Sequence, residues 1–175
     1  DLKVGDYTVI NRSPYLFPKE EPSLEHHYPN VSNRTKKYAL PKKMNSDLAF
    51  LIGAIVAEGN VSKEQIGFCN SDETFIEEFK NRFNRVFSEC RLHEFKRKPV
   101  GYTKKPYTSL EIHSLQVINF LKNLGLNPVH ANKKDVPEAL FLSTKDSLAA
   151  FLKGYAEGDG SVYRSGAPEI AFISM

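Results

Sequence analysis

Two stretches decide the reading of this chain: LAFLIGAIVAEGNV at residues 48–61 and AAFLKGYAEGDGSV at residues 149–162. Aligned at a constant offset of 101, six of their fourteen positions are identical, and Glu58 stands opposite Asp159. After a slip of three residues, EQIGFCNS (64–71) pairs with PEIAFISM (168–175), matching Ile66 to Ile170 and Phe68 to Phe172. This is an internal repeat, and on the sequence alone its second copy stops after the first strands, as in a truncated chain. Each copy predicts an apolar helix with a stripe of small residues one turn apart: Ala49, Gly53 and Ala57 in the first, Ala150, Gly154 and Gly158 in the second. An interior glycine costs a helix about 1 kcal/mol relative to alanine, so two at equivalent positions point to close helix packing. Small residues filling a crowded core are the plainer alternative, but they leave unexplained why both helices end in an acid beside glycine. If the stripes pack together, Glu58 and Asp159 emerge side by side at the same end. Paired carboxylates repel unless a proton or a cation lies between them. Such oxygen ligands at an open helix end suit Mg²⁺ (or Mn²⁺), which keeps several waters and takes one or two carboxylates plus phosphate oxygens.

Outward from these helices the pattern is regular. Asn45, Ser46 and Asp47 offer an N-cap to the first helix, and Gly59 ends it. Residues 60–71 read as paired strands, and residues 72–89 as an amphipathic helix with Phe75, Phe79, Phe83 and Val86 or Phe87 on one face. Residues 91–99 and 107–114 read as strands joined by a Gly/Lys/Pro loop. Residues 114–125 form a helix burying Val117, Phe120, Leu121 and Leu124; a helical turn and the second motif helix follow. The order is α–ββ–α–ββ–α–α, an α+β chain. Residues 1–43 differ: "DLKVGDYTVI" reads as a turn and a short strand, followed by five prolines and no periodicity up to Lys43. That segment is a linker or a wrapped arm, with Tyr15, Leu16, Phe17 and Tyr28 as its anchors.

Mean hydropathy of −0.41 and 26% charged residues place the chain of 175 residues among ordinary globular proteins. No apolar run reaches the roughly 18 residues of a membrane span, and Cys69 and Cys90 are too few for a disulfide framework. The expectation is an intracellular protein of the cytoplasm or nucleoid with no membrane partner. The net charge of +3 is unevenly placed: residues 80–134 carry twelve lysines and arginines against three acids, a net of +9. This suggests a polyanion-binding face, with a solvated charged surface as the alternative. The histidines lack zinc-site spacing, and there is no P-loop, dinucleotide fingerprint or nucleophile elbow.

LIGAIVAEG (51–59) and LKGYAEGDG (152–160) resemble the two signature motifs of the LAGLIDADG homing endonucleases. The segment between them, with its Lys-x-x-Pro element at Lys134–Pro137, resembles the connection in intein-encoded members, and DLKVGDYTVINR (1–12) resembles the end of an N-terminal splicing block. The resemblance implies αββαββα repeats, a twisted antiparallel sheet and two packed motif helices. It divides the chain into a splicing-block remnant and arm (1–43), a first repeat (44–143) and the start of a second (144–175). It implies a site-specific endonuclease that hydrolyses one phosphodiester on each strand of a double-stranded DNA with a long recognition site. Glu58 and Asp159 become the catalytic and metal-binding acids, with the backbone of Gly59 as a further ligand. Glu157 is secondary, because its counterpart in the first motif is Val56. Lys134 matches the lysine near the scissile phosphate, with a plain backbone-phosphate contact as its alternative and Lys133 as its rival. DNA contacts fall to Lys63 and Gln65 in the first hairpin, to Arg91, His93, Lys96, Arg97, Lys98, Lys104, Lys105 and Tyr107 in the second, and to Lys133. Asp1 and Met175 exclude protein splicing by the chain as given. An exposed half-interface on the second motif helix leaves room for a homodimer. The competing readings are a catalytically silent DNA-binding module and an RNA-binding maturase-like protein.

Overall fold

The computed structural model describes residues 17–99, 105–129, 133–163 and 169–172. The first motif helix, α1 (Ser46–Glu58), is capped by Asn45, whose side chain accepts from the Leu48 amide at 2.9 Å. It buries every residue from Leu48 to Ile55, because it is covered on several sides at once. The chain passes from Glu58 directly into β1 (Gly59–Val61), and Ser62 closes the turn into β2 (Ile66–Asn70). Asp72 then caps α2 (Glu73–Val86) by accepting from the amides of Thr74 and Phe75. Strands β3 (Leu92–Arg97) and β4 (Tyr107–Ile112) follow, then α3 (Leu115–Asn123), the short α4 (Glu138–Phe141), α5 (Lys145–Asp159), β5 (Gly160–Tyr163) and β6 (Glu169–Phe172). Gly125, at φ +119°, supplies the left-handed residue that reverses the chain after α3.

The strands form an antiparallel sheet in the order β1-β2-β4-β3, and β5 and β6 pair separately. Register settles which residues face the helices. Phe68 pairs with Leu110 and Ile66 with Ile112, all buried, while the alternate pair Gly67 and Glu111 turns the other way. Phe68 stacks on Phe79 of α2 at 4.3 Å and meets Phe75 edge-on at 5.1 Å, and Phe50 of α1 closes the cluster. The order of elements is the one the periodicity of the sequence predicts, an α+β fold.

The second motif helix, α5, lies along α1. A methyl group placed on Gly53 would meet the Phe151 carbonyl and the Tyr155 amide, and one on Gly154 would meet the Phe50 carbonyl and the Ala54 amide. The two backbones touch through their glycines, so the small-residue stripe of α1 is occupied within one chain rather than left for a second copy.

Of the N-terminal segment, residues 17–43 wrap the body. Ser23 bridges to Lys43, Leu24 is wholly buried, and the Tyr28 ring meets Phe120 edge-on at 6.0 Å. Phe17 is half-buried, whereas Tyr15 and Leu16, with the whole DLKVGDYTVINR stretch, lie outside the described residues. Two anchors have no signature in the sequence. Glu21 accepts from Thr144 Oγ1 at 2.5 Å and Ser147 Oγ at 2.6 Å at the start of α5. Gln116 accepts from the Tyr38 amide at 2.6 Å.

Candidate active site

Glu58 is the last residue of α1 and Asp159 the last of α5, so each acid stands where a motif helix becomes a strand. The helices are still close there: a methyl group on Gly158 would lie 2.6 Å from Ala57 Cβ and 2.8 Å from Glu58 Cγ. The two carboxylates therefore share one neighbourhood. Partial burial, then repulsion from Asp159, raises the Glu58 pKa, and Lys134 opposes the rise. Burial raises Asp159 as well, again against the pull of Lys134. The Lys134 ammonium is half-buried and its pKa is lowered by that burial, with both acids working the other way.

Lys134 is held rather than loose. Its Nζ donates to the carbonyl of Val56 at 2.9 Å and to that of Gly59 at 2.8 Å, two groups at the C-terminal end of α1. The Gly59 carbonyl, expected to face a metal, thus already accepts from this lysine. Lys133 is exposed, and both lysines line a cleft of about 320 Å³ between the end of α1 and the segment after α3. Glu157 is exposed, one residue before Gly158.

No group of three or more His, Cys, Asp or Glu side chains suited to a metal ion occurs among the described residues. The donor set is two carboxylates whose charged forms are disfavoured by burial and, for Glu58, by the neighbouring acid. That set fits a divalent cation that completes its shell with water and substrate phosphate, and does not fit an enclosed structural metal.

The open face of the four-stranded sheet is a groove of about 420 Å³ lined by Asn60, Gln65, Arg97, Lys98, Tyr107 and Glu111, among others. Glu111 lies at its centre, accepting from Arg97 at 3.2 Å and facing His113 Nε2 at 3.2 Å. Lys105 and Lys63 are exposed at the ends of hairpins. Lys96 corrects the expectation of one basic face: it donates to Thr108 Oγ1 at 3.1 Å on the helix side of the sheet. Alternation separates Lys96 from Arg97, whatever their shared charge. Arg91 and His93 line a different cavity, beside the arm. Lys104 lies outside the described residues.

At the end of α1 opposite Glu58, one feature was not legible in the sequence. Arg82 of α2 bridges Asp47 at 2.9 Å and Glu78 at 2.7 Å while its guanidinium stacks 4.3 Å from the Phe50 ring. Arg85 adds a second bond to Asp47, and Lys153 of α5 reaches Glu78 at 2.7 Å. This network ties both motif helices to α2 and thereby fixes how they lie.

Residues 45–125 match the LAGLIDADG-like domain. The chain is 30% identical over 168 residues to a component of the A-type ATP synthase from Pyrococcus abyssi, covering 91% of this chain and 15% of that protein. It is 28% identical over 120 residues to the replication factor C small subunit of Methanocaldococcus jannaschii, covering 67% and 6%. It is 25% identical over 165 residues to the DNA-directed RNA polymerase component Rpo1C of the same organism, covering 93% and 16%. The chain thus spans between 6% and 16% of the length of these relatives. Full-length DUF199/WhiA from Thermatoga maritima is similar in structure with a TM-score of 0.37 and 13% identity, over 89% of this chain and 58% of that one. Between Asn45 and Gly125, this chain is similar to the LAGLIDADG-like domain.

Proposed function

We propose that this chain acts on DNA as a site-specific endonuclease, with Glu58 and Asp159 holding a divalent cation, Mg²⁺ or Mn²⁺. The observation that carries the reading is the meeting of Glu58, Asp159 and Lys134 where two backbone-packed helices turn into strands. Neither acid has a structural partner among the described residues apart from the nearby lysine charge, and each is raised in pKa by its place. A cation bound there supplies Lewis-acid polarisation of the scissile phosphate. The chain's own residues do the rest. The two carboxylates would hold that cation, and the glycine contacts bring together the helix ends that carry them. The ammonium of Lys134, locked by two carbonyls, places a positive charge where negative charge develops as water attacks phosphorus and the P–O bond to the leaving strand breaks. The groove carrying Gln65, Arg97, Lys98 and Tyr107 suits base edges and backbone, since a twisted antiparallel ribbon fits the major groove.

The relatives support an insertion-element origin, of the kind an intein endonuclease has. Components of an ATP synthase, a replication factor and an RNA polymerase share no activity in their names, yet each resembles this chain over a small part of its length. An element inserted into unrelated genes produces that pattern.

A second reading is a DNA-binding module that does not cut. The hold of Lys134 on Val56 and Gly59 favours it, because a lysine serving as a C-terminal helix cap needs no substrate. In vitro selection of cleaved molecules from a randomised duplex library, with Mg²⁺, decides between them. The endonuclease reading expects one long sequence cut on both strands by the wild type and by neither Glu58→Gln nor Asp159→Asn. Enrichment of bound but uncut sequences overturns it in favour of the silent module.

A further inference from the structure

Beside the arm, at the end of the sheet away from the carboxylates, lies a cavity of about 430 Å³ lined by Arg34, Lys36, Arg91, His93 and His113, with Ser114 at its wall. Its charge is one-sided. No acid lines it, and none of Arg34, Lys36 and Arg91 has a carboxylate within 4.0 Å among the described residues. By contrast, Lys80, Arg82, Arg85, Arg97 and Lys153 each bridge an acid. The cation that Lys36 carries leans instead over the Tyr38 ring at 5.0 Å. The N-terminus of α3 opens on the same wall through Ser114 and Leu115, with no acid in its first turn. Burial, then Arg91 and His113, lower the pKa of His93, against an opposing pull from Glu111. Glu111 faces His113 from the neighbouring groove, but Arg34, Lys36 and Arg91 concentrate positive potential at one place, which favours an anionic occupant.

The cavity also continues the open sheet face. His93 pairs across the ladder with Glu111, which lines the groove, while His93 itself lines the cavity. We infer that Arg34, Lys36 and Arg91 form a seat for backbone phosphates of duplex DNA, through which the arm extends the DNA track beyond the part the sheet reaches. The ligand is the phosphodiester rather than a base edge, since the three cations are exposed, two on the arm and one before β3, and open onto a track rather than a closed socket. The inference rests on the DNA-binding reading above and adds the arm to it, a segment that reading leaves without a role.

The test is the salt dependence of binding to a mixed-sequence duplex of about 40 base pairs, followed by fluorescence anisotropy between about 50 and 300 mM KCl. Each lost phosphate contact lowers the slope of log K against log salt by about 0.9. The triple variant Arg34→Gln/Lys36→Gln/Arg91→Gln is expected to lose about two to three units of slope. A charge-keeping variant, Arg34→Lys/Arg91→Lys, is expected to retain the wild-type slope. All these side chains are exposed and, among the described residues, without ion pairs, so thermal melts should match the wild type. The sheet-face variant Lys98→Gln serves as the independent reference. If Lys98→Gln weakens binding while the triple variant leaves slope and affinity unchanged, the seat is refuted and the DNA-binding reading stands. If the wild type shows no salt-dependent binding, both fall together. If inorganic phosphate at about 10 mM raises the melting temperature of the wild type but not the triple variant, with DNA slopes equal, the cavity is a small-anion site and the assignment to DNA is overturned.

Discussion

Replacing Gly154 by alanine sets two effects of opposite sign against each other. In an isolated helix the change stabilises by about 1 kcal/mol, since alanine is the better helix former. Here the added methyl would press on the Phe50 carbonyl and lie 3.1 Å from the Ala54 amide nitrogen. Those are main-chain atoms in the middle of a buried helix, with no rotamer to yield, so the overpacking cost sits at the upper end of its range of about 1–3 kcal/mol. The net is a destabilisation of about 2 kcal/mol, or about 4–8 °C in Tm for a domain of this size. Gly53→Ala meets the Phe151 carbonyl and the Tyr155 amide at 2.9 Å and should behave alike. Gly158→Ala is the informative contrast, because its methyl meets side-chain atoms, Ala57 Cβ and Glu58 Cγ, and a glutamate can swing aside. It should lose at most about 1 kcal/mol while displacing the acid at the centre of the candidate site. Circular dichroism melts of the three variants give the answer. A Gly154→Ala protein that melts at or above the wild-type temperature would refute close backbone packing of α1 on α5, and with it the account of why the acids meet.

Three further outcomes follow from the contacts. Arg82→Ala removes the bridge between Asp47 and Glu78 and the guanidinium over Phe50, and should cost about 1–2 kcal/mol by urea denaturation. The pKa of Asp47 is lowered by its bond to Arg85 and that of Glu78 by its bonds to Lys153 and Arg82, each against burial. The stability these acids contribute is therefore present above the ordinary carboxylate pKa and lost as pH falls through their lowered values, so Arg82→Ala should flatten the acid limb of a Tm-against-pH curve. Glu21→Ala leaves the buried Ser147 hydroxyl and Thr144 without their acceptor; about 1.5–3 kcal/mol should be lost, with proteolysis in residues 17–43 at a protease dose the wild type resists. At the candidate site the sign reverses: Glu58 and Asp159 have raised values, so their protonated forms favour folding at low pH and that advantage is lost as pH rises through the raised pKa. Glu58→Gln and Asp159→Asn should accordingly raise Tm at pH 7.5 and leave it unchanged near pH 4; equal melts at every pH would show that neither acid is raised.

The parts of the fold that follow from local pattern were legible in the sequence. Phe75, Phe79 and Phe83 fall on one helical face, Ile66 and Phe68 alternate, and both sets are buried where periodicity puts them. The meeting of Glu58 and Asp159 was legible for a different reason: a repeat within one chain carries its own alignment, and equivalent glycines mark the contact. Contacts made by single residues across long separations were not. Glu21 acquires its role only because the start of α5 folds against it, 123 residues away, and no spacing announces that. Charge runs misled in one place. Lys96, Arg97 and Lys98 look equivalent as text, but the ladder sends Lys96 to the helix side, and only the pairing of Phe95 with Ser109 reveals the phase. The arm cations Arg34 and Lys36 lay outside the basic segment that the charge count singled out, so their convergence with Arg91 belongs to the fold alone.

At the centre of the account stands a pair of acids serving as one cation site. Its most direct test is a carbon-13 NMR titration of the Glu58 carboxyl in the wild type and in Asp159→Asn, with and without Mg²⁺. A shared site predicts a Glu58 pKa above the ordinary glutamate value that falls when Asp159 is neutralised and falls again when Mg²⁺ is added. An ordinary Glu58 pKa, moved by neither change, would contradict it.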